Sequence, residues 1–338
     1  MNFLRSFSVF IFLSLSGCVT VGPYPSQQAL QQTETQLRRK ALYYRMQKDL
    51  RVNNIGFRIL KSLRPRRGLN YNYIGALVAD NNKDIQAVLS LPSDKGAVVY
   101  GVVPGSPAAE AGVKTGDIIL KINNHALSGV GDYYRWLIKE KQRKLWRLKV
   151  KRGEETVNLL CRPLKMGYFV RFGTVPSEAV NAAAGEGVVV VTYGLLNFVK
   201  NDDELAVVIG HEMAHIAKGH LLKRQGLGLL AALVHWGLSQ NIPQGGEIGR
   251  QLGGIFNAKF SRDFEREADY FGVIFAYLGG FNVKRGIEIW ERFAIELPQS
   301  LNASLLADHP TTTERLLRVK ALAEKLEKNE LDFSKVIY

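Results

Sequence analysis

Apolar and polar positions change rhythm three times along this chain. From residue 27 to 62 the apolar residues Leu30, Leu37, Leu42, Met46 and Leu50 recur near helical spacing with charges between them, which predicts one long helix. The run PRRGLN after Leu63 ends it, because Pro and Gly neither continue a helix. From about Tyr71 to Leu164 short alternating runs lie between glycine turns, the pattern of strands. From Gly167 onward one β segment is followed by several long helices, and neither an internal repeat nor a low-complexity tract interrupts the order.

Within the middle region, VVYGVVPGSPAAEAGVKTGDIILKINN reads as a turn at Gly105 and Pro107, a short Ala-rich helix closed by Gly112, and a half-buried strand DIILKIN after Thr115-Gly116. LWRLKVKRGEETVNLLCR reads as a hairpin around Arg152-Gly153. Together these runs resemble a PDZ domain of the bacterial type. The resemblance implies that Tyr73, Ile74, Gly75 and Ala76 form a carboxylate-binding loop, with a helix near Asp132 to Ile138 as the other wall of a groove. The implied partner is an extended peptide, often a C-terminus, bound by strand addition.

The helical region carries the chemistry. GHEMAHIAKGH, residues 210–220, follows Asn201 and Glu204, which have the spacing of a helix-capping box. On a helix of about twenty residues His211 and His215 lie only about 40° apart, one turn above the other, and can reach one ion. Between them Glu212 points to the open position of such an ion, where it can take a proton from water. His220 falls about 180° from His211 if the helix continues, so it is assigned a hydrogen bond to nearby backbone. SRDFEREADYFG reads as a second helix, in which Glu265 and Asp269 share a face and Glu267 points about 200° away from Glu265. Glu265 is therefore the expected third ligand, and Asp269 the carboxylate that fixes a ligand histidine's tautomer. The rival assignment makes Glu267 the ligand.

VNAAAGEGVVVVTYGLLNFVKNDDELAVVIGHEMAH, the SRDFEREAD helix and DHPTTTERLLRV together resemble the zinc metallopeptidase family that includes HtpX, BepA and the CAAX prenyl proteases, over about residues 164–320. DLRVNNIGFRILKSL looks like that family's opening helix, which would make the PDZ module an insertion. The expected fold class is then α+β: a mostly helical zincin metallopeptidase domain with a small edge-strand sheet, plus a β-rich PDZ domain. The expected divisions are a lipoprotein signal peptide at 1–17, a lipidated tether at 18–26, the N-terminal helix of the peptidase domain at 27–66, the PDZ domain at 70–164 and the peptidase domain at 165–338. The resemblance further implies one Zn2+ per chain, and roles for His309 and Arg315. Both could stabilise a tetrahedral oxyanion as catalytic donors; His309 could instead be a fourth ligand, and Arg315 could sit in a salt bridge. Val188, Val189, Val190 and Val191 are expected to form the edge strand that pairs with a substrate backbone, although four valines in a row also suit a strand buried on two faces.

Composition narrows the setting. In 338 residues, 46% apolar and 22% charged content fits a folded protein rather than a disordered or polytopic one. The N-terminus carries Arg5, an apolar run from Phe7 to Leu15, and then Ser16-Gly17-Cys18, which resembles the lipobox of bacterial lipoproteins. Lipid on Cys18, with Val19 after it, implies an outer-membrane lipoprotein facing the periplasm and a membrane held through the anchor. Cys161 would then have no internal disulfide partner. The net charge of +14 reads as solvated basic faces, with an anionic lipid surface as the alternative and nucleic acid excluded for an exported protein. GLGLLAALVHWGL, residues 226–238, is apolar enough to touch a membrane but too short to span one, and reads first as a core helix or helical hairpin, with His235 packed or interfacial on it. Two functions compete. One is an endopeptidase acting on unfolded or misassembled envelope proteins. The other is a chaperone-like or scaffolding PDZ lipoprotein whose zinc site is latent or structural.

Overall fold

The computed structural model describes residues 24–63, 71–140, 143–185, 187–220, 261–297 and 313–333. Outside them fall Cys18, the PRRGLN break, residues 226–238 with His235, and His309. Among the described residues no helix is long and apolar enough to cross a membrane.

The first predicted helix is present as α1 (Gln27–Ser62). Its opening turns, up to Arg38, belong to a separate compact unit, in which Leu30 and Leu37 are exposed rather than buried. The apolar stripe becomes a packing face only from Leu42 onward, where Leu42 and Met46 pack together against the β-rich region. Val52, Ile55, Phe57, Ile59 and Leu60 then enter a large core shared with residues far downstream. Polar ties reinforce that seat: Arg51 pairs with Asp202 at 2.8 Å, and Arg58 donates to the carbonyls of Gly279 and Gly280.

Residues 71–166 form the β-rich region. Strands β2 (Ala76–Asp80), β3 (Ala97–Val102), β4 (Ile118–Ile122), β6 (Trp146–Arg152) and β7 (Glu155–Cys161) make one antiparallel sheet in that order, with β5 (His125–Ala126) on β4. The hairpin expected around Arg152-Gly153 is the β6–β7 connection, in register Arg152 to Glu155. Helices α2 (Lys83–Leu89), α3 (Pro107–Glu110) and α4 (Val130–Lys139) join the strands; Ser106 caps α3 and Pro107 opens it. Ile74, Val78, Val99, Ile119, Tyr133 and Trp146 fill a core of their own. Strand β1 (Tyr71–Tyr73) pairs with β8 (Leu164–Met166), so the two ends of this region leave side by side.

Beyond it, β9 (Arg171–Val175), β10 (Ala182–Gly185) and β11 (Val188–Thr192) form a three-stranded sheet in the order β10-β11-β9. This corrects the assignment of Val188 to Val191 as the edge strand. They lie in the centre, antiparallel to β10 and parallel to β9, and every one is buried. The physical reason is that β-branched side chains on both faces need cover on both faces. The edges belong to β9 and to the alanine strand β10, and the small side chains of β10 let it lie against the next long helix. That helix is α6 (Asp202–Ala217), reached through α5 (Tyr193–Phe198) and followed by α7 (Arg262–Leu278), α8 (Val283–Gly286), α9 (Glu288–Glu296) and α10 (Thr313–Glu327). Helices and strands together make an α+β fold.

Candidate metal centre

Two helices build the site, and each starts where its cap dictates. Asn201 accepts the amide of Glu204 at 3.0 Å to open α6, and Ser261 accepts the amide of Phe264 to open α7. The capping box is only half formed: Glu204 reaches the amide of Lys200 at 2.7 Å and the guanidinium of Arg292 at 2.9 Å. The helices then cross backbone to backbone. A Cβ on Gly210 would lie 2.4 Å from the carbonyl oxygen of Gly272, and one on Gly272 would lie 2.6 Å from the amide nitrogen of His211. No residue but glycine tolerates that approach. It carries α7 close enough for its acids to meet the histidines of α6.

His211, His215 and Glu265 come together as a buried triad whose ligand atoms all lie within 4.8 Å of one another. The two Nε2 atoms are 3.1 Å apart, and each is 3.5 Å from an oxygen of Glu265. Glu212 is fully buried on the same helix. The donor set suits a divalent cation. Lone pairs from two rings and a carboxylate converge at tetrahedral-site distances, and three buried acids, Glu212, Glu265 and Asp269, face one buried guanidinium, that of Arg315. Burial alone would lower His211, yet its contacts with Asp269 and Glu265 prevail and push it up to about 9.

Behind the triad, each ligand ring is held differently. Nδ1 of His211 lies 3.1 Å from Asp269 Oδ1. Asp269 is gripped in turn by Arg315, through Nε at 2.7 Å and Nη2 at 2.8 Å, while Nη1 lies 3.2 Å from Glu265. Burial works to raise Asp269, but Arg315 and His211 outweigh it and hold the carboxyl below its usual range. Arg315 thus stands on the acids as a positioning residue, in the salt-bridge arrangement.

On the other ring, Nδ1 of His215 lies 2.9 Å from Nδ1 of His220, whose Nε2 lies 2.9 Å from Glu267. One proton arrangement satisfies this chain with neutral rings. Glu267 can only accept, so His220 donates from Nε2 and accepts at Nδ1; His215 then donates from Nδ1 and turns the Nε2 lone pair toward the triad. The backbone hydrogen bond assigned to His220 is therefore overturned, and so is the use of Glu267 as the ligand. The 180° placement assumed a continuing helix. Instead α6 ends at Ala217, and Gly219 at a φ of +65° swings His220 back beneath His215.

Sequence reasoning missed the glycine contact, the His220–Glu267 pair, and Trp290, whose ring stands edge-on 5.8 Å from His211. A signal existed for the first, since glycine at mid-helix in both α6 and α7 opposes helix propensity and asks for a packing reason. Of the other candidates, Tyr73 to Ala76 run from the end of β1 to the first residue of β2, and Tyr133 on α4 donates to the carbonyl of Ala76 at 3.0 Å.

The family model described as Peptidase family M48 matches residues 150–323, and the PDZ domain model matches residues 98–152. Metalloprotease YcaL of Escherichia coli (strain K12) is 31% identical over 157 residues, covering 45% of this chain and 61% of that protein. Metalloprotease LoiP of the same organism is 29% identical over 163 residues, covering 46% of this chain and 63% of its own. The matches thus span about three fifths of those relatives' lengths. A crystal structure of the HtrA3 PDZ domain bound to a phage-derived ligand covers 29% of this chain and 90% of its own at 25% identity and a TM-score of 0.25.

Proposed function

From the premise that this chain belongs to peptidase family M48, we propose that it is a zinc-dependent endopeptidase. We further infer that it is held by lipid on Cys18 at the periplasmic side of the outer membrane, where it hydrolyses misfolded or misassembled envelope proteins. Its PDZ domain takes part in selecting them. The observation that carries the peptidase reading is the buried convergence of His211, His215 and Glu265 beside Glu212.

His211, His215 and Glu265 would hold the ion. A zinc ion there supplies Lewis acidity, polarising the scissile carbonyl and making an attacking water acidic near neutral pH. Glu212 takes the proton from that water as its oxygen bonds to the carbonyl carbon, and returns it to the leaving amine nitrogen as the C–N bond breaks. Asp269 and Arg315 keep His211 and Glu265 in place; His220 and Glu267 keep the tautomer of His215. Strand β10, at the edge of its sheet and against α6, offers backbone groups to an extended substrate chain.

The test is cleavage of casein by the full chain with and without chelator, beside Glu212→Gln with its zinc content measured. Loss of cleavage with zinc retained supports the reading; undiminished cleavage by the variant removes Glu212 as the base. Mass spectrometry of the mature N-terminus decides the anchor, because an unmodified Cys18 rules it out.

A further inference from the structure

Among the described residues strand β2 pairs with β3 alone, and beside its first residue lies a cavity of about 60 Å³. At the ~10–15 Å³ that a water requires, it has room for about four to six waters. That volume suits a chain end and not a run of peptide.

One wall is the loop Tyr73 to Ala76. The carbonyl of Ile74 accepts from the amide of Ala108 at 2.7 Å, and that of Gly75 accepts from Val103 at 2.9 Å. A trans peptide is planar, with its N–H opposed to its C=O. The amide of Gly75 is therefore turned away from Ala108, and that of Ala76 away from Val103, toward the outer edge of β2. Gly75 holds this shape at a φ of +79°, and its Cβ position is filled by Ser106, 2.3 Å away.

The facing wall comes from the peptidase sheet. Phe169 packs against Tyr71 and Tyr134, and Arg171 begins β9. The guanidinium of Arg171 lies 4.4 Å over the ring of Tyr134 on α4. Its Nε is buried without a hydrogen-bond partner, and among the described residues no carboxylate pairs with it. A half-buried cation without an anion thus shares a small, largely aromatic cavity with a turned-out amide pair.

We propose that Arg171 is the counter-ion for the C-terminal carboxylate of a peptide in the PDZ groove, so that one ligand is held by the PDZ domain and the peptidase sheet together. The proposal rests on peptide binding at that groove and is independent of the metal chemistry. Two oxygens match a guanidinium edge and an amide pair, and the aromatic lining suits an apolar last side chain.

The test uses the full chain carrying Glu212→Gln, immobilised, so that captured peptides are not cut. Short peptides randomised over their last few positions are offered as free acids and as C-terminal amides. Free acids should be enriched by about tenfold or more, the scale of a charge-assisted hydrogen bond. Arg171→Gln should erase that preference, and Arg171→Lys should restore part of it, with circular dichroism verifying the fold of each. Equal capture of acids and amides by the parent, capture of neither, or an undiminished preference in Arg171→Gln overturns the proposal. Casein cleavage by the wild-type chain is scored apart, so a failed peptidase reading leaves this outcome interpretable.

Discussion

The metal centre and the PDZ-side cavity are built on opposite plans. The first gathers His211, His215 and Glu265 from two helices, nearly sealed from water, with three carboxylates facing one guanidinium. The second is pieced together from a loop and a helix of the PDZ domain and a strand of the peptidase sheet, with a lone guanidinium at its wall. A site whose ligands repeat at one helical turn, as His211 and His215 do, needs only that its helix meet one neighbour, here through the Gly210–Gly272 crossing. A site made from separated segments needs the whole fold, and it can couple two domains in a way that the first cannot.

The largest expected effect breaks the metal centre outright. His215→Ala should lose both stoichiometric zinc and casein cleavage, whereas Glu212→Gln should keep the zinc and lose cleavage by about 10²–10⁴-fold. Zinc analysis beside initial rates separates the two. If the variants behave alike, the division between ligand and base is wrong.

Next comes Arg315→Met, which leaves Asp269 buried without its bidentate partner; it should cost about 3–5 kcal/mol in urea unfolding. The pH dependence follows from the sign of the shift. In the wild-type metal-free chain Asp269 is held below its usual range, so its stabilisation is complete above about pH 4 and is lost as pH falls through the lowered value. Without Arg315 burial dominates, and the acid-side loss should move to higher pH. Unchanged acid unfolding would show that Asp269 is not held by Arg315.

Gly272→Ala tests the helix crossing. A Cβ 2.6 Å from the amide nitrogen of His211 must displace backbone, at a cost of about 1–3 kcal/mol in thermal unfolding. Zinc affinity should fall with it; full affinity would mean that the triad does not depend on the close approach. The smallest effect sharpens the contrast between the two ligand rings. His220→Ala should weaken zinc about tenfold in chelator competition, the low end for a group behind a ligand, because Glu267 is partly exposed. Affinity equal to wild type would remove the His220–Glu267 chain from the site.

How much of this was legible beforehand depends on distance along the chain. The pairs His211 with His215 and Glu265 with Asp269 were readable because offsets of four place residues on one helical face; which histidine Asp269 would hold was not. His220 was misplaced by the same rule, since periodicity holds only while the helix lasts and Gly219 ends it. The valine strand was misassigned because alternation and burial do not specify strand order, and Val188 to Val191 turned out central, with β10 at the edge.

By itself, the sequence picked out the residues that meet: His211 and His215 one helical turn apart, Glu212 between them, and Glu265 with Asp269 on a second helix. These follow from local geometry, which the backbone imposes over a few residues. Only the tertiary structure decided that Gly210 and Gly272 touch, that Arg315 grips Asp269 and Glu265, and that Arg171 faces Tyr134 across a domain boundary. Those contacts join residues tens of positions apart, and no local spacing encodes them; the packing of one shared core does.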